Sequence, residues 1–160
     1  YTGMTPEEIA EVERIVNEEI MRNTPVSTDI RSELWGKLWG NLSMNPLSAL
    51  TGATIDRLAF SPELRPIARA MMVEAEGLAL ALGLKLPMSV DERIDIGGKA
   101  GARKTSMLQD AERGKKLEIE ALLGAVVELA DLAGHDMPLC RTILALARER
   151  SRNFVRTLQL

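Results

Sequence analysis

Helix starts and stops punctuate this chain from end to end, and they constrain its fold more than any other feature. Thr5-Pro6-Glu7-Glu8 places a capping hydroxyl, a proline at the first helical position and a glutamate three residues after the cap. Ser27-Thr28-Asp29, Ser61-Pro62-Glu63, Ser89-Val90-Asp91-Glu92 and Met137-Pro138 are further starts. The stops are Asn23-Thr24-Pro25, Gly52, Gly83, Gly114 and Gly134. Between them apolar residues recur at helical spacing: Ile9, Val12, Ile15 and Ile20, then Leu34, Leu38 and Leu42, then Ile67, Met71, Ala75 and Leu78. Residues 117–133 are the most apolar, with Ile119, Leu122, Leu123, Val126, Val127 and Ala130. The last helix carries Ile143, Leu144, Leu146, Ala147 and Phe154. The pattern predicts an all-α domain of six to eight helices packed around the 117–133 segment. Pro46 is predicted to kink or break the second helix. A short helix is predicted over residues 104–113, and an irregular middle at Gly97-Gly98.

Composition narrows the function classes. Aromatics are 3%, and the strong helix formers Ala, Leu, Glu, Arg and Met dominate. Apolar residues are 46%, which argues against a solvated, disordered chain. A net charge of −3 gives no electrostatic reason to expect nucleic acid as a partner. The longest apolar stretch, residues 77–84, is far short of the ~20 residues of a membrane span. Cys140 is the only cysteine, so no internal disulfide can form, and a small buried thiol is expected. With no visible signal peptide, a cytoplasmic location is expected. The first residue is Tyr1 rather than methionine, so the chain reads as a fragment, a processed chain or an incompletely reported one.

Lys37, Asn41 and Asn45 are spaced by four, which puts them on one stripe of a helix. Their neighbours are Leu34, Trp35, Leu38, Trp39, Leu42 and Met44, so all three cannot sit on a freely solvated face. A lysine held there can donate a proton to a carbonyl oxygen, and asparagines can orient a ligand as donor and acceptor. The plain alternative is a polar stripe that meets water. Ser106 and Glu118 are the next candidates. A serine near a helix start can bind a carboxylate with help from free backbone N–H groups. A glutamate at a helix N-terminus is first of all a partner of the helix dipole. Gly97-Gly98-Lys99-Ala100-Gly101 follows no predicted strand and lacks the G-x-G-x-x-G register of a dinucleotide turn. His135 has no cysteine or histidine near it, so no metal site is expected.

Several of these residues fall into motifs. The run from Lys37-Leu38-Trp39-Gly40-Asn41 to Asn45-Pro46-Leu47-Ser48-Ala49-Leu50 resembles the K-L-x-x-N-x-x-x-N-P-L-[ST]-A-L stretch of the ketopantoate reductases. Ser106-Met107-Leu108-Gln109-Asp110 is similar to that family's S-M-L-Q-D, and Glu118-Ile119-Glu120 to its E-I-D. The turn from Gly134 to Pro138 resembles its G-x-x-x-P turn. The resemblance covers the chain from about Asp29 to the last helix. It implies the helical C-terminal domain of a two-domain, NADPH-dependent enzyme that reduces 2-dehydropantoate (ketopantoate) to pantoate in pantothenate biosynthesis. The 6-phosphogluconate-dehydrogenase-like helical fold would then occupy residues 28–160. Residues 1–27 would be a remnant of the nucleotide-binding domain, a helix plus a short strand. The N-terminal Rossmann domain becomes the implied partner and holder of NADPH, with no cofactor-binding residue in this chain and no activity of the chain alone.

The resemblance also implies roles. Lys37 matches the general acid at the ketone oxygen. Asn41 and Asn45 match the asparagines that position the 2-oxo acid, Ser106 the serine that binds its carboxylate, and Glu118 the glutamate that binds its hydroxyl groups and interacts with the lysine. Leu117 stands where the family usually has threonine and Glu120 where it has aspartate, which leaves open a relative acting on another 2-oxo acid. A helical dimerisation or interaction module derived from the family is the non-enzymatic alternative. If the enzymatic reading holds, Lys37, Asn41, Ser106 and Glu118 should converge on one concave surface. Lys37 and Glu118 should then lie within direct or water-bridged reach. Apolar residues beside the site should face solvent or a second copy of the chain, as in a homodimer.

Overall fold

The structure, a computed structural model, describes residues 5–23 and 27–157, with side chains described at 5–15 and 27–153. Contacts divide the chain into two units, Tyr1–Ile30 and Arg31–Leu160. The first holds α1 (Pro6–Asn23), opened by the expected capping box. The Thr5 N–H donates to Glu8 Oε2 at 2.7 Å, and the Glu8 N–H donates to Thr5 Oγ1 at 3.2 Å. The strand expected before residue 28 and the apolar roles of Ile20 and Phe154 lie outside what is described.

The second unit is built from α2 (Ile30–Thr51), α3 (Ile55–Phe60), α4 (Leu64–Ala81), α5 (Val90–Gly98), α6 (Ser106–Glu112), a π-turn (Glu120–Gly124) leading into α7 (Ala125–Ala133), and α8 (Pro138–Thr157). Among the described residues there is no strand, so the fold is all-α as expected. Its centre differs from the expectation. Helix α4, rather than the 117–133 segment, touches α3, α5, α7 and α8. Ala68, Met71, Met72, Ala75, Leu78 and Ala79 of α4 are all fully buried. Small alanines let neighbouring helices come close, and the flexible methionines fill the remaining gaps.

Helix α2 continues through Pro46, so of the expected kink or break the break does not occur. Every residue from Leu42 to Ala49 is buried, so this half is packed on all sides. Tertiary packing there outweighs the roughly 3 kcal/mol that proline costs inside a helix. Trp39, fully buried, donates from Nε1 to the Met72 carbonyl at 2.7 Å and so pins α2 to α4. The buried hydroxyls are satisfied: Ser43 Oγ donates to Gly40 O at 3.1 Å, and Ser48 Oγ to Ala53 O at 2.6 Å.

Helix α5 keeps its capping box at Ser89 and Glu92 and stays regular through Gly97-Gly98, where irregularity was expected. A Cβ on Gly98 would sit 2.6 Å from the Ala59 Cβ and the Phe60 ring, so the small residue here permits the α3–α5 approach. Cys140 is buried as expected, and burial pushes its thiol far above the usual range. Glu74 of α4 caps α8 by accepting from the Leu139 and Cys140 N–H groups, both at 2.9 Å. No helix among the described residues is long and apolar enough to cross a membrane.

Candidate active site

The α2 stripe grades from solvent into the protein. Lys37 is exposed, Asn41 is half-buried and Asn45 is only 7% exposed. One helical repeat of four residues therefore carries the polar groups inward by about 6 Å per step. Asn41 and Asn45 line a cleft of about 90 Å³ together with Met72, Arg93, Ile55 and Thr105. The cleft is thus assembled from α2, α3, α4, α5 and the cap of α6. Among the described residues the Asn45 amide has no hydrogen-bond partner, although little of the residue reaches solvent. The amide therefore reaches the cleft, where water or a ligand can satisfy it; the one fully buried side-chain polar atom without a partner among the described residues is Trp35 Nε1.

Three contacts hold the far wall of this cleft. The Ile55 N–H donates to Arg103 O at 2.9 Å, tying the loop before α6 to the start of α3. Thr105, 5% exposed, caps α6 by accepting from the Leu108 N–H at 3.1 Å. Lys104 pairs with Glu112 at 2.7 Å across the outer side of α6. Ser106 is the first residue of α6 and is exposed, so the cap is its neighbour Thr105. Ser106 thus begins the helix directly beside a cleft-lining residue while standing outside the lining itself.

Outside the cleft lining, Arg65 of α4 bonds Asp95 at 2.6 Å and Asp91 at 3.1 Å, and Arg69 bonds Asp91 at 3.1 Å. These pairs fix α5 against α4. The guanidinium of Arg69 first, then that of Arg65, holds the Asp91 carboxyl below its ordinary range. Arg93, half-buried on the same helix, takes no part in them and reaches over Gly40 of α2.

Glu118 is exposed and lies just before the π-turn. Its carbonyl accepts the Leu122 N–H at 3.3 Å. The 117–133 segment is therefore not one regular α-helix: it inserts a wider turn two residues after Glu118. Such turns re-aim the residues beside them and are common at functional sites. Among the described residues neither the Lys37 nor the Glu118 side chain has a hydrogen-bond or ion-pair partner, so a direct pairing between them is not made. The two departures from the motif have structural roles. Leu117 is 3% exposed, and its N–H donates to Ser151 Oγ at 3.2 Å. Glu120 is gripped by Arg148 through two bonds of 2.7 and 2.6 Å, and this grip lowers its pKa.

The structure thus brings Asn41 and Asn45 to one cleft, and leaves Lys37, Ser106 and Glu118 on exposed surface outside its lining. Sequence reasoning missed Arg93 and Thr105. Thr105 carried a usable signal, as a cap residue directly before Ser106-Met107-Leu108-Gln109-Asp110. Arg93 carried none, because only the fold sets it over Gly40. Among the described residues no cluster of His, Cys, Asp and Glu could hold a metal ion.

Fold and cleft together define an all-α domain with a small, largely apolar cleft that carries two asparagines, a threonine and one arginine. The chain belongs to the ketopantoate reductase family: residues 29–151 match the model described as "Ketopantoate reductase PanE/ApbA C terminal". It is similar to the 2-dehydropantoate 2-reductase of Mesorhizobium japonicum, with 48% identity over 78% of this chain and 38% of that protein. It is also similar to a solved candidate ketopantoate reductase from Ralstonia solanacearum, with 33% identity, a TM-score of 0.78 and coverage of 94% of this chain and 45% of that one. A dimeric ketopantoate reductase from Staphylococcus aureus matches with 28% identity and a TM-score of 0.67, over 81% of this chain and 46% of its own. The chain spans less than half the length of these three relatives.

Proposed function

We propose that this chain is the substrate-binding half of an NADPH-dependent 2-oxo acid reductase, with 2-dehydropantoate as substrate. The observation that carries the reading is the α2 stripe: Asn45 presents an unpartnered amide at the cleft, Asn41 follows one turn out, and Lys37 one turn further. Such a polar gradient contributes little to packing and suits a ligand that enters from the Lys37 end. Among the described residues there is no strand, and so no strand–turn–helix junction that would offer free N–H groups to a pyrophosphate; Gly97 and Gly98 are the last two residues of α5. A Rossmann domain, of which residues 1–27 would be the tail, is therefore the partner that supplies the cofactor. When bound there, NADPH supplies the hydride.

This chain's own residues would do the rest. The Asn41 and Asn45 amides hold the oxo acid by donating and accepting. Ser106, the first residue of α6, donates its hydroxyl to the carboxylate. Lys37 holds the proton that the ketone oxygen needs as negative charge builds on it. Glu118 accepts from the substrate's hydroxyl group and steadies the ammonium of Lys37.

The test is a chimera that joins the nucleotide-binding half of the Mesorhizobium relative to this chain. It should oxidise NADPH in the presence of 2-dehydropantoate, while this chain alone should neither turn over nor bind NADPH in a calorimeter. A folded chimera that reduces no 2-oxo acid would remove the reading. Preference for another 2-oxo acid would keep the reaction class and change the substrate.

A further inference from the structure

Arg93 is the charged residue that lines the cleft, and among the described residues it has no counter-ion. The carboxylates on its own helix are engaged elsewhere: Asp91 and Asp95 with Arg65 and Arg69, and Glu92 with the Ser89 cap. Among the described residues the Arg93 guanidinium has no ion pair and no side-chain hydrogen bond. It is nonetheless half-buried, and it lies against the backbone of α2. A Cβ built on Gly40 would fall 2.5 Å from Nη2, 2.9 Å from Cζ and 3.4 Å from Nε of Arg93. Only glycine at position 40 leaves room for this placement. The planar fork thereby has room at the cleft beside Asn41, the unpartnered Asn45 and Thr105. A partly desolvated guanidinium without a partner is unfavourable, and an oxyanion arriving at its edge removes that penalty.

We infer that Arg93 is a substrate-binding residue, the cationic anchor for the carboxylate of the oxo acid, seated by Gly40. The inference rests on the functional reading above and deepens it. A carboxylate has room for several donors, so the Arg93 fork and the Ser106 hydroxyl can share it. This leaves the ketone end of the substrate for the outer part of the α2 stripe, where Lys37 stands.

The experiment is proton–nitrogen correlation NMR on the 160-residue chain, titrated with 2-dehydropantoate, with its neutral lactone, with inorganic phosphate and with NADPH. The acid should shift the Arg93 Nε–Hε, Gly40, Asn41 and Thr105 signals, and the lactone should bind more weakly. Arg93→Gln should weaken the acid roughly 10- to 100-fold, the usual worth of hydrogen bonds to a charged group, and should leave the lactone unchanged. Arg93→Lys should fall between, keeping the charge but losing the fork. Gly40→Ala should mimic Arg93→Gln by displacing the guanidinium, at no cost to the helix, and the double variant should be no worse than Arg93→Gln alone. Equal binding of acid and lactone, indifference of the acid to Arg93→Gln, or absence of any acid-dependent shift would each overturn the inference. So would phosphate or NADPH moving these signals in place of the acid. The chimera scores the functional reading separately. An active chimera indifferent to Arg93→Gln sinks Arg93 alone, and an inactive one beside a positive titration sinks the reductase reading alone.

Discussion

Helix α2 and the segment that runs from residue 117 into α7 both carry candidate polar residues, yet the two are built differently. The inner half of α2 is packed on every side and continues through a proline, and its polar groups sink progressively into the protein. The 117–133 segment buries one face only and opens into a π-turn, and it leaves Glu118 exposed before that turn. On α2, packing fixes Asn45 without help from any ligand. At Glu118, local backbone geometry sets the direction, and the side chain has no partner among the described residues. Helix α2 thus carries a cleft-lining end that is finished by packing and an exposed end at Lys37, while Ser106 and Glu118 are exposed outside the cleft lining. Under the proposed function, a covering domain acts on the exposed end of α2.

The largest expected effect lies at the open end. In the chimera, Lys37→Ala should lower kcat by roughly 10²- to 10⁴-fold, the range for a positioned acid. It should leave the melting temperature of this chain nearly unchanged, because surface substitutions usually shift stability by only ~0.5 kcal/mol. Near-normal turnover in the folded variant would show that the proton comes from elsewhere and that the outer end is not where chemistry happens.

The finished end should respond in the opposite way. Trp39 is fully buried and donates to the Met72 carbonyl. Trp39→Ala should cost about 3–5 kcal/mol through the cavity it leaves. Trp39→Phe should cost about 1–3 kcal/mol, because the carbonyl loses its partner. Chemical denaturation of the isolated chain measures both. If Trp39→Ala were as mild as Lys37→Ala, the inner half of α2 would not be the rigid platform inferred here.

The contrast between the two segments also explains what was legible in the sequence. The Lys37, Asn41 and Asn45 stripe could be read because helical spacing alone puts the three on one face. The Ser89 capping box was legible for the same local reason. Helix α3 was missed because six residues give too little periodicity, and no side-chain cap marks its start. The π-turn was invisible because one extra residue in a turn leaves an apolar segment looking helical. The cleft was beyond local reading altogether. It depends on α2 lying beside α5 closely enough for Arg93 to rest on Gly40, and on the Ile55–Arg103 bond that brings in Thr105. Central packing was misjudged because apolar density pointed to residues 117–133, whereas α4 earns its position with small residues that allow close approach.

The smallest expected effect concerns the ion pairs that brace the two regions. Behind the cleft, Asp91 is held by Arg69 and Arg65, and at the π-turn Glu120 is held by Arg148. Both carboxyls titrate below their ordinary values of 3.8 and 4.5, chiefly through the hydrogen bonds that their arginines donate. A lowered folded-state pKa means that the stabilisation is complete above the ordinary value. It is lost as pH falls from there through the lowered value. The melting temperature of the chain should therefore be flat from neutral pH down to the ordinary carboxylate range, and decline below it. These groups are largely exposed, so the decline should be shallow and should weaken in high salt. Asp91→Asn and Glu120→Gln should each flatten part of it and slightly lower the melting temperature near neutral pH. Calorimetric melts of the two variants across the acid range separate the contributions. If Glu120→Gln removes the whole decline and Asp91→Asn none of it, the acid-sensitive brace lies at the π-turn, and the wall that carries Arg93 holds its place by packing alone.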